Sequence, residues 1–298
     1  MKIGLIDVDS KIPNLALMKI SAWHKQQDDE VEFYMPLWNY DKIYASKVFD
    51  FTPMPYLPKN CIIGGSGYDL SITLPEEVEY IRPDYNLYKN CNYSIGFITR
   101  GCIRKCSFCK VPEKEGIIKF NQHFLEFENP VGKWWIFLDN NILAYTEVSD
   151  LLSEIIDRKM IIDFNQGTDI RLLSEDLAEK IVKINWLRFY RFSFDWVSLD
   201  TTIIKKVKML NKLGMKSYKM LCYVLIGYNS TPEEDYYRVM LLRSLGVDIF
   251  VMPYNKFDFY QKNFCRWVNH RAIFKSICWK DYNNKFKKSK SKIGDYLL

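Results

Sequence analysis

The stretch Arg100-Gly101-Cys102-Ile103-Arg104-Lys105-Cys106-Ser107-Phe108-Cys109 sets three cysteines at C-x3-C-x2-C spacing, directly after an apolar, strand-like run from Tyr93 to Thr99. Three thiolates at this spacing can hold an iron–sulfur cluster of the four-iron type, whose ligands are normally cysteines. The local ligands stop at three, so one iron is left open for another ligand. A structural zinc site is the first alternative. Zinc takes four closed ligands, and the nearest candidates, Cys91 and His123, stand well away at unpatterned spacing. Three core thiols are the second alternative, against which Arg104 and Lys105 make the loop polar.

Downstream of the loop one unit repeats. Apolar runs start near residues 93, 133, 160, 187, 217 and 247, with helical patterns between them. Ser174 precedes Leu177, Ile181 and Ile184, and Thr201 precedes Ile203, Val207 and Leu210, with Gly214 closing that helix. Thr231-Pro232-Glu233-Glu234 has the form of a capping box with proline in the first turn, and Gly246 ends the helix. Six strand–helix units of about 30 residues imply a parallel sheet with crossover connections. Upstream, residues 2–8 are expected as a strand, Leu15–Gln26 as a helix and Val31–Met35 as a strand. Lys42–Val48 is expected as a strand or a helix start. Cys61-Ile62-Ile63 is expected as a short buried strand ending at Gly64-Gly65-Ser66-Gly67. The expected fold class is α/β: a Rossmann-like domain over 1–85, a (β/α)6 partial TIM barrel over 90–256, and a C-terminal extension over 257–298.

Bulk composition narrows the classes. Hydrophobic residues make up 48% of the chain and aromatics 16%, enough for a buried core. No apolar run reaches the ~18 residues of a membrane span, so no membrane partner is expected. Met1-Lys2-Ile3-Gly4-Leu5-Ile6-Asp7 meets acid too soon for a secretory signal. Eight cysteines then point to the reducing cytoplasm rather than a disulfide framework. The net charge is +6, and residues 280–292 hold six lysines against one acid, Asp281, so five of those charges lie there. That Lys280–Lys292 tail is either a solvated terminus or an arm contacting nucleic-acid phosphates.

C-x3-C-x-aromatic-C after a first barrel strand resembles the signature of the radical S-adenosylmethionine (SAM) superfamily. Thr99-Arg100-Gly101-Cys102 and Cys109-Lys110-Val111-Pro112 most resemble the branch with an N-terminal cobalamin-binding-like domain, near the methylthiotransferases. The resemblance implies a [4Fe–4S] cluster on Cys102, Cys106 and Cys109, with SAM on the open iron. It implies an electron donor such as flavodoxin or ferredoxin, and reductive cleavage of SAM to a 5′-deoxyadenosyl radical that abstracts hydrogen from a substrate. Chemistry in such barrels gathers at the C-terminal strand ends. There the resemblance assigns Phe108 to the adenine, Asp139 and Asn140 to the SAM amino group, and Arg191, Ser193 and Asp195 to its carboxylate and ribose. Ile226, Gly227, Met252 and Tyr254 are assigned to the adenine. From residue type alone, Gln166, Asp169 and Arg171 are read as facing SAM or substrate, with an internal Asp169–Arg171 pair as the alternative. Asn141 is read as the cap of a turn or as part of the same site.

The loop Asp7–Asn14 stands where the branch offers a cobalt-ligating histidine, and Lys11 is nearest that place. Protonated lysine is no metal ligand, so cobalamin is expected either unligated, against Gly64–Gly67, or not at all. Cys265 and Cys278, flanking Trp267 and His270, are assigned to packing, and Cys61 and Cys91 are too few for the second, three-cysteine cluster of the methylthiotransferases. Two other functions follow the same residues: a cobalamin-dependent methylase or methylthiotransferase acting on RNA or a nucleotide, and an iron–sulfur protein that binds nucleic acid or senses redox state without turnover.

Overall fold

Short apolar runs alternating with helical patterns give a mixed α/β chain, in which nearly all strand pairs are parallel. The computed structural model describes residues 1–283. The lysine-rich stretch from Asn284 onward lies outside the described residues. The described residues form several mainly parallel sheets and no closed barrel. They divide into two compact units, Met1–Val148 with Asp157–Gln166, and Ser149–Ile156 with the chain from Gly167 on.

In the first unit, β1 (Lys2–Asp7), β2 (Glu30–Phe33), β3 (Lys42–Ser46) and β4 (Cys61–Gly64) form a parallel sheet in the order β2-β1-β3-β4. Helix α1 (Leu15–Lys25) starts at Asn14, whose side chain accepts from the Leu17 amide, as an Asn N-cap does. Its Leu17 packs with Ile3 and Leu5 in a fully enclosed cluster. Lys42–Ser46 is a strand, which decides between the two readings of that segment. Cys61–Gly64 is also a strand, but not a buried one: β4 is the sheet's edge, and Ile62 is 52% exposed. Gly65 has φ +99°, and a Cβ there would lie 2.3 Å from the Lys47 carbonyl oxygen, so only glycine fits.

A second parallel set in this unit joins β5 (Ser94–Gly96), β8 (Trp135–Phe137) and β9 (Ile161–Phe164). Between β5 and β8, β6 (Thr99–Arg100) and β7 (Lys119–Phe120) pair antiparallel. This pair closes the hairpin that carries the cysteines, with α3 (Val111–Lys114) inside it. The core beneath includes Ile95, Ile136, Met18, Tyr85 and Cys91. Helix α2 (Glu76–Glu79) ends at a residue that the site uses.

The second unit contains α5 (Glu175–Ile181), a short β10 (Asn185–Trp186), and a parallel sheet of β11 (Tyr190–Ser193), β12 (Met220–Ile226) and β13 (Asp248–Pro253). Burial alternates strictly along β12, as a strand with one enclosed face requires. Helix α4 (Val148–Asp157) contributes Leu151, Leu152 and Ile155 to the buried set. Ser174 caps α5, and Thr231 makes both bonds of a capping box at α7 (Pro232–Ser244). Helix α6 (Asp200–Lys212) begins one residue before the expected Thr201, which sits in its first turn and donates to Asp200 instead of capping. Helices α8 (Phe259–Asn269) and α9 (Arg271–Ser276) follow β13.

Arg238 of α7 ties the strand ends of this sheet together. It is fully buried and donates to the carbonyls of Phe194, Asp195 and Leu225 at 2.8–2.9 Å, and to the equally buried Asp235 at 2.7 Å. Removing one partner of a buried pair leaves an uncompensated charge and costs about 3–5 kcal/mol. Arg238→Met keeps much of the volume and removes the guanidinium. Urea denaturation is expected to show a loss in that range, and a loss below about 1 kcal/mol would mean the clamp is not structural.

Candidate functional site

The cysteine hairpin leaves the sheet at residues 97–101, where backbone donors lose their strand partners. Asp139, just beyond β8, takes them up. Its carboxylate accepts from the Thr99 amide at 2.5 Å, the Thr99 hydroxyl at 2.7 Å and the Ile98 amide at 3.3 Å. Asn140 continues the pattern, its Oδ1 accepting from the Gly101 amide at 2.9 Å. Gly101 has φ +90°, and a Cβ there would lie 2.5 Å from the Ile117 carbonyl oxygen, so the hairpin closes only around glycine. Cys102 donates its amide to the Gly116 carbonyl at 3.1 Å across the same closure.

Asn141 is 2% exposed. Its side chain makes no capping bond to the turn that follows, so the turn-cap reading is overturned. Instead Nδ2 donates to the Cys102 sulfur at 3.3 Å. The Arg104 amide donates to the same sulfur at 3.3 Å, and the Val111 amide to the Cys109 sulfur at 3.5 Å. Cys102, Cys106, Cys109 and Phe108 are all half-buried.

Arg100 anchors the hairpin from the other side. Its guanidinium meets Glu79 at 2.6 Å and Glu115 at 3.1 Å, bonds Asn121 at 3.2 Å, and stacks 4.0 Å from the Phe97 ring centre. Glu79 also holds the buried Lys19 of α1 at 3.0 Å. Burial pushes the Glu79 carboxyl up, but Arg100 and Lys19 outweigh it and hold the group below its usual range. Lys19 shifts down because burial outweighs Glu79.

Among the described residues, no three or more His, Cys, Asp or Glu side chains are grouped so that they could hold a metal ion. Three thiolates sharing one zinc would stand ~3.8 Å apart, given Zn–S bonds of about 2.3 Å in a tetrahedron. A four-iron cube takes each thiolate at a different corner and asks for a wider triangle. The fit to a cluster lies in the donor chemistry: three half-buried thiols within one hairpin, with N–H groups directed at the sulfurs of two of them.

A corrin fits less well. Asp9 uses both carboxylate oxygens on the amides of Val48 and Phe49, at 2.7 and 3.0 Å. The Gly65 and Gly67 faces lie against the backbone of Lys47 and Phe49, so the chain itself occupies the space these glycines clear. Lys11 is exposed, and no histidine lies in the loop.

The remaining expected residue of the first unit, Gln166, is exposed. In the second unit, Arg171 forms a two-pronged pair with Asp169, at 2.6 and 2.9 Å, while Asp169 also caps the short turn 170–172. Arg191 donates to the Tyr223 hydroxyl at 2.7 Å. Asp195 accepts from the Leu225 amide at 3.3 Å, and burial pushes its carboxyl above the usual range. Ser193 and Met252 are half-buried and Ile226 is fully buried. Gly227 has φ +73° and lies against the Gln261 side chain. Tyr254, 56% exposed, meets Tyr228 edge to face at 4.8 Å, and Tyr228 meets Trp196 at 6.1 Å. Trp196 and Tyr228 were not singled out from the sequence, although each follows a strand end. Glu79 was not singled out either, since a glutamate in a four-residue helix carries no local signal. No protein-family model matches the chain, and no curated protein matches it.

Burial pushes Asp139 up to about 6, against the pull of the Thr99 and Ile98 donors. The folded chain thus holds this proton more tightly than the unfolded chain, whose value is near 3.8. The stabilisation is complete below the unfolded value and is lost as pH rises through about 6, a change of about 2–3 kcal/mol. Stability measured by urea from pH 4 to 7 is expected to fall by that much more in the unaltered chain than in Asp139→Asn. Parallel curves would show that the carboxyl does not titrate in this window.

Proposed function

We propose that the chain is a radical SAM enzyme, with Cys102, Cys106 and Cys109 as the ligands of a [4Fe–4S] cluster and SAM on the open iron. What supports this reading is the hairpin itself. Three thiols lie on a segment that leaves one strand of a parallel sheet, and its base is held by three consecutive residues, Asp139, Asn140 and Asn141, from the end of the neighbouring strand. The finer architecture goes with it: a Rossmann-like domain over 1–85, a (β/α)6 partial barrel over 90–256 and an extension over 257–298.

Held by Cys102, Cys106 and Cys109, such a cluster would supply the single electron needed for reductive cleavage of SAM. The rest of the work falls to this chain. Asp139 and Asn140 fix the backbone at 98, 99 and 101, so the first thiol is presented from a rigid base. Arg100 is neutralised locally by Glu79 and Glu115, which keeps its charge off the sulfurs. Phe108 offers a half-buried ring for a planar base. Taken by itself, the second unit carries half-buried Arg191 and Ser193 at one strand end, groups suited to a carboxylate and a hydroxyl. Reduction calls for a one-electron donor protein such as a flavodoxin or ferredoxin. Cobalamin is not part of the proposal, because the glycine faces that would receive it are filled by residues 47–49.

Anaerobic reconstitution followed by dithionite and SAM tests the reading. The unaltered chain is expected to bind about four irons and release 5′-deoxyadenosine. Cys102→Ala, Cys106→Ala and Cys109→Ala are each expected to drop that product to background. An intact cluster that never yields 5′-deoxyadenosine would leave the chain a non-catalytic iron–sulfur protein.

A further inference from the structure

Asn141 combines two features that packing alone does not explain. Its Nδ2 lies on the Cys102 sulfur at 3.3 Å, while its buried Oδ1 has no hydrogen-bond partner among the described residues. An unsatisfied buried acceptor costs about 1–3 kcal/mol, and a leucine of similar size would avoid it. An amide at this position is therefore destabilising for the fold unless its N–H acts on the sulfur. Cys102 receives a backbone donor as well, from Arg104. Hydrogen bonds to a ligating sulfur draw negative charge away from a cluster and favour the reduced form, which carries one more electron.

We infer that Asn141 is a positioning residue that fixes the Cys102 sulfur and raises the reduction potential of the cluster bound there. The inference rests on the cluster reading above. It concerns how readily the cluster accepts an electron from its donor, and not which substrate is used.

The experiment is a redox titration of the reconstituted protein followed by electron paramagnetic resonance, on the unaltered chain, Asn141→Leu and Asn141→Asp. Asn141→Leu is expected to take up iron as the unaltered chain does. Its reduction equilibrium should shift about tenfold toward the oxidised cluster, ~59 mV for one electron. Asn141→Asp should shift further in the same direction, since a carboxylate adds negative charge and removes the donor. A purely structural role would change the melting temperature and leave the potential alone. Should Asn141→Leu fail to fold, Asn141→Ala removes the same donor and reads the same potential. Iron uptake with equilibria within twofold of one another sinks this inference alone. Failure of the unaltered chain to bind iron sinks both it and the cluster reading.

Discussion

A single buried carboxylate sets the form of the cysteine hairpin. When the chain leaves β5, the amides of Ile98 and Thr99 lose the partners that a strand would give them. A buried amide without an acceptor is costly, so the excursion exists only because Asp139 meets both, together with the Thr99 hydroxyl. Asn140 and Asn141 extend the same logic outward, one onto the Gly101 backbone and the other onto a thiol. Three neighbouring side chains thus convert the end of one strand into the platform for a loop 39–41 residues earlier in the chain.

The chain of charges Lys19–Glu79–Arg100–Glu115 complements that platform. Two cations and two acids alternate, so the set is close to neutral although little of it reaches water. Such sets seldom add much net stability, since desolvation offsets most of the attraction. Their effect is geometric. Helix α1 and the first residue of the cysteine hairpin both bond to one carboxylate, which fixes their mutual placement within the first unit. At low pH, protonation of Glu79 would remove the common partner of Lys19 and Arg100.

Periodicity made the scaffold legible, because burying one face of a strand or helix imposes a repeat on the sequence. The strict alternation of Met220–Ile226 and the capping box at Thr231 are of this kind. Cysteine spacing likewise singled out the hairpin. What could not be read were contacts made by isolated polar residues across long separations. Glu79 has no neighbour in sequence that marks it as the partner of Arg100, and Asn141 reads equally as a turn cap or as part of the site until its distance to Cys102 is known. Lys11 and Gly64–Gly67 gave the opposite difficulty. Glycines that suggest room for a ligand are explained by the close approach of residues 47–49. The Asp169–Arg171 pair was visible as an alternative because both residues lie within one turn.

The second unit's sheet ends in two strands whose outer backbone groups would otherwise be open. Along β13, the side chain of Asn269 donates to the Val251 carbonyl and accepts from the Val251 amide, both within 2.9 Å. A carboxamide thereby stands in for one residue of a missing strand. Along β11, Thr168 forms a parallel bridge with Phe192 and donates its amide to the Arg191 carbonyl. Open edges invite another chain to add a strand. Here the central register of each edge is already taken from within, so two copies meeting side by side find no continuous ladder to extend.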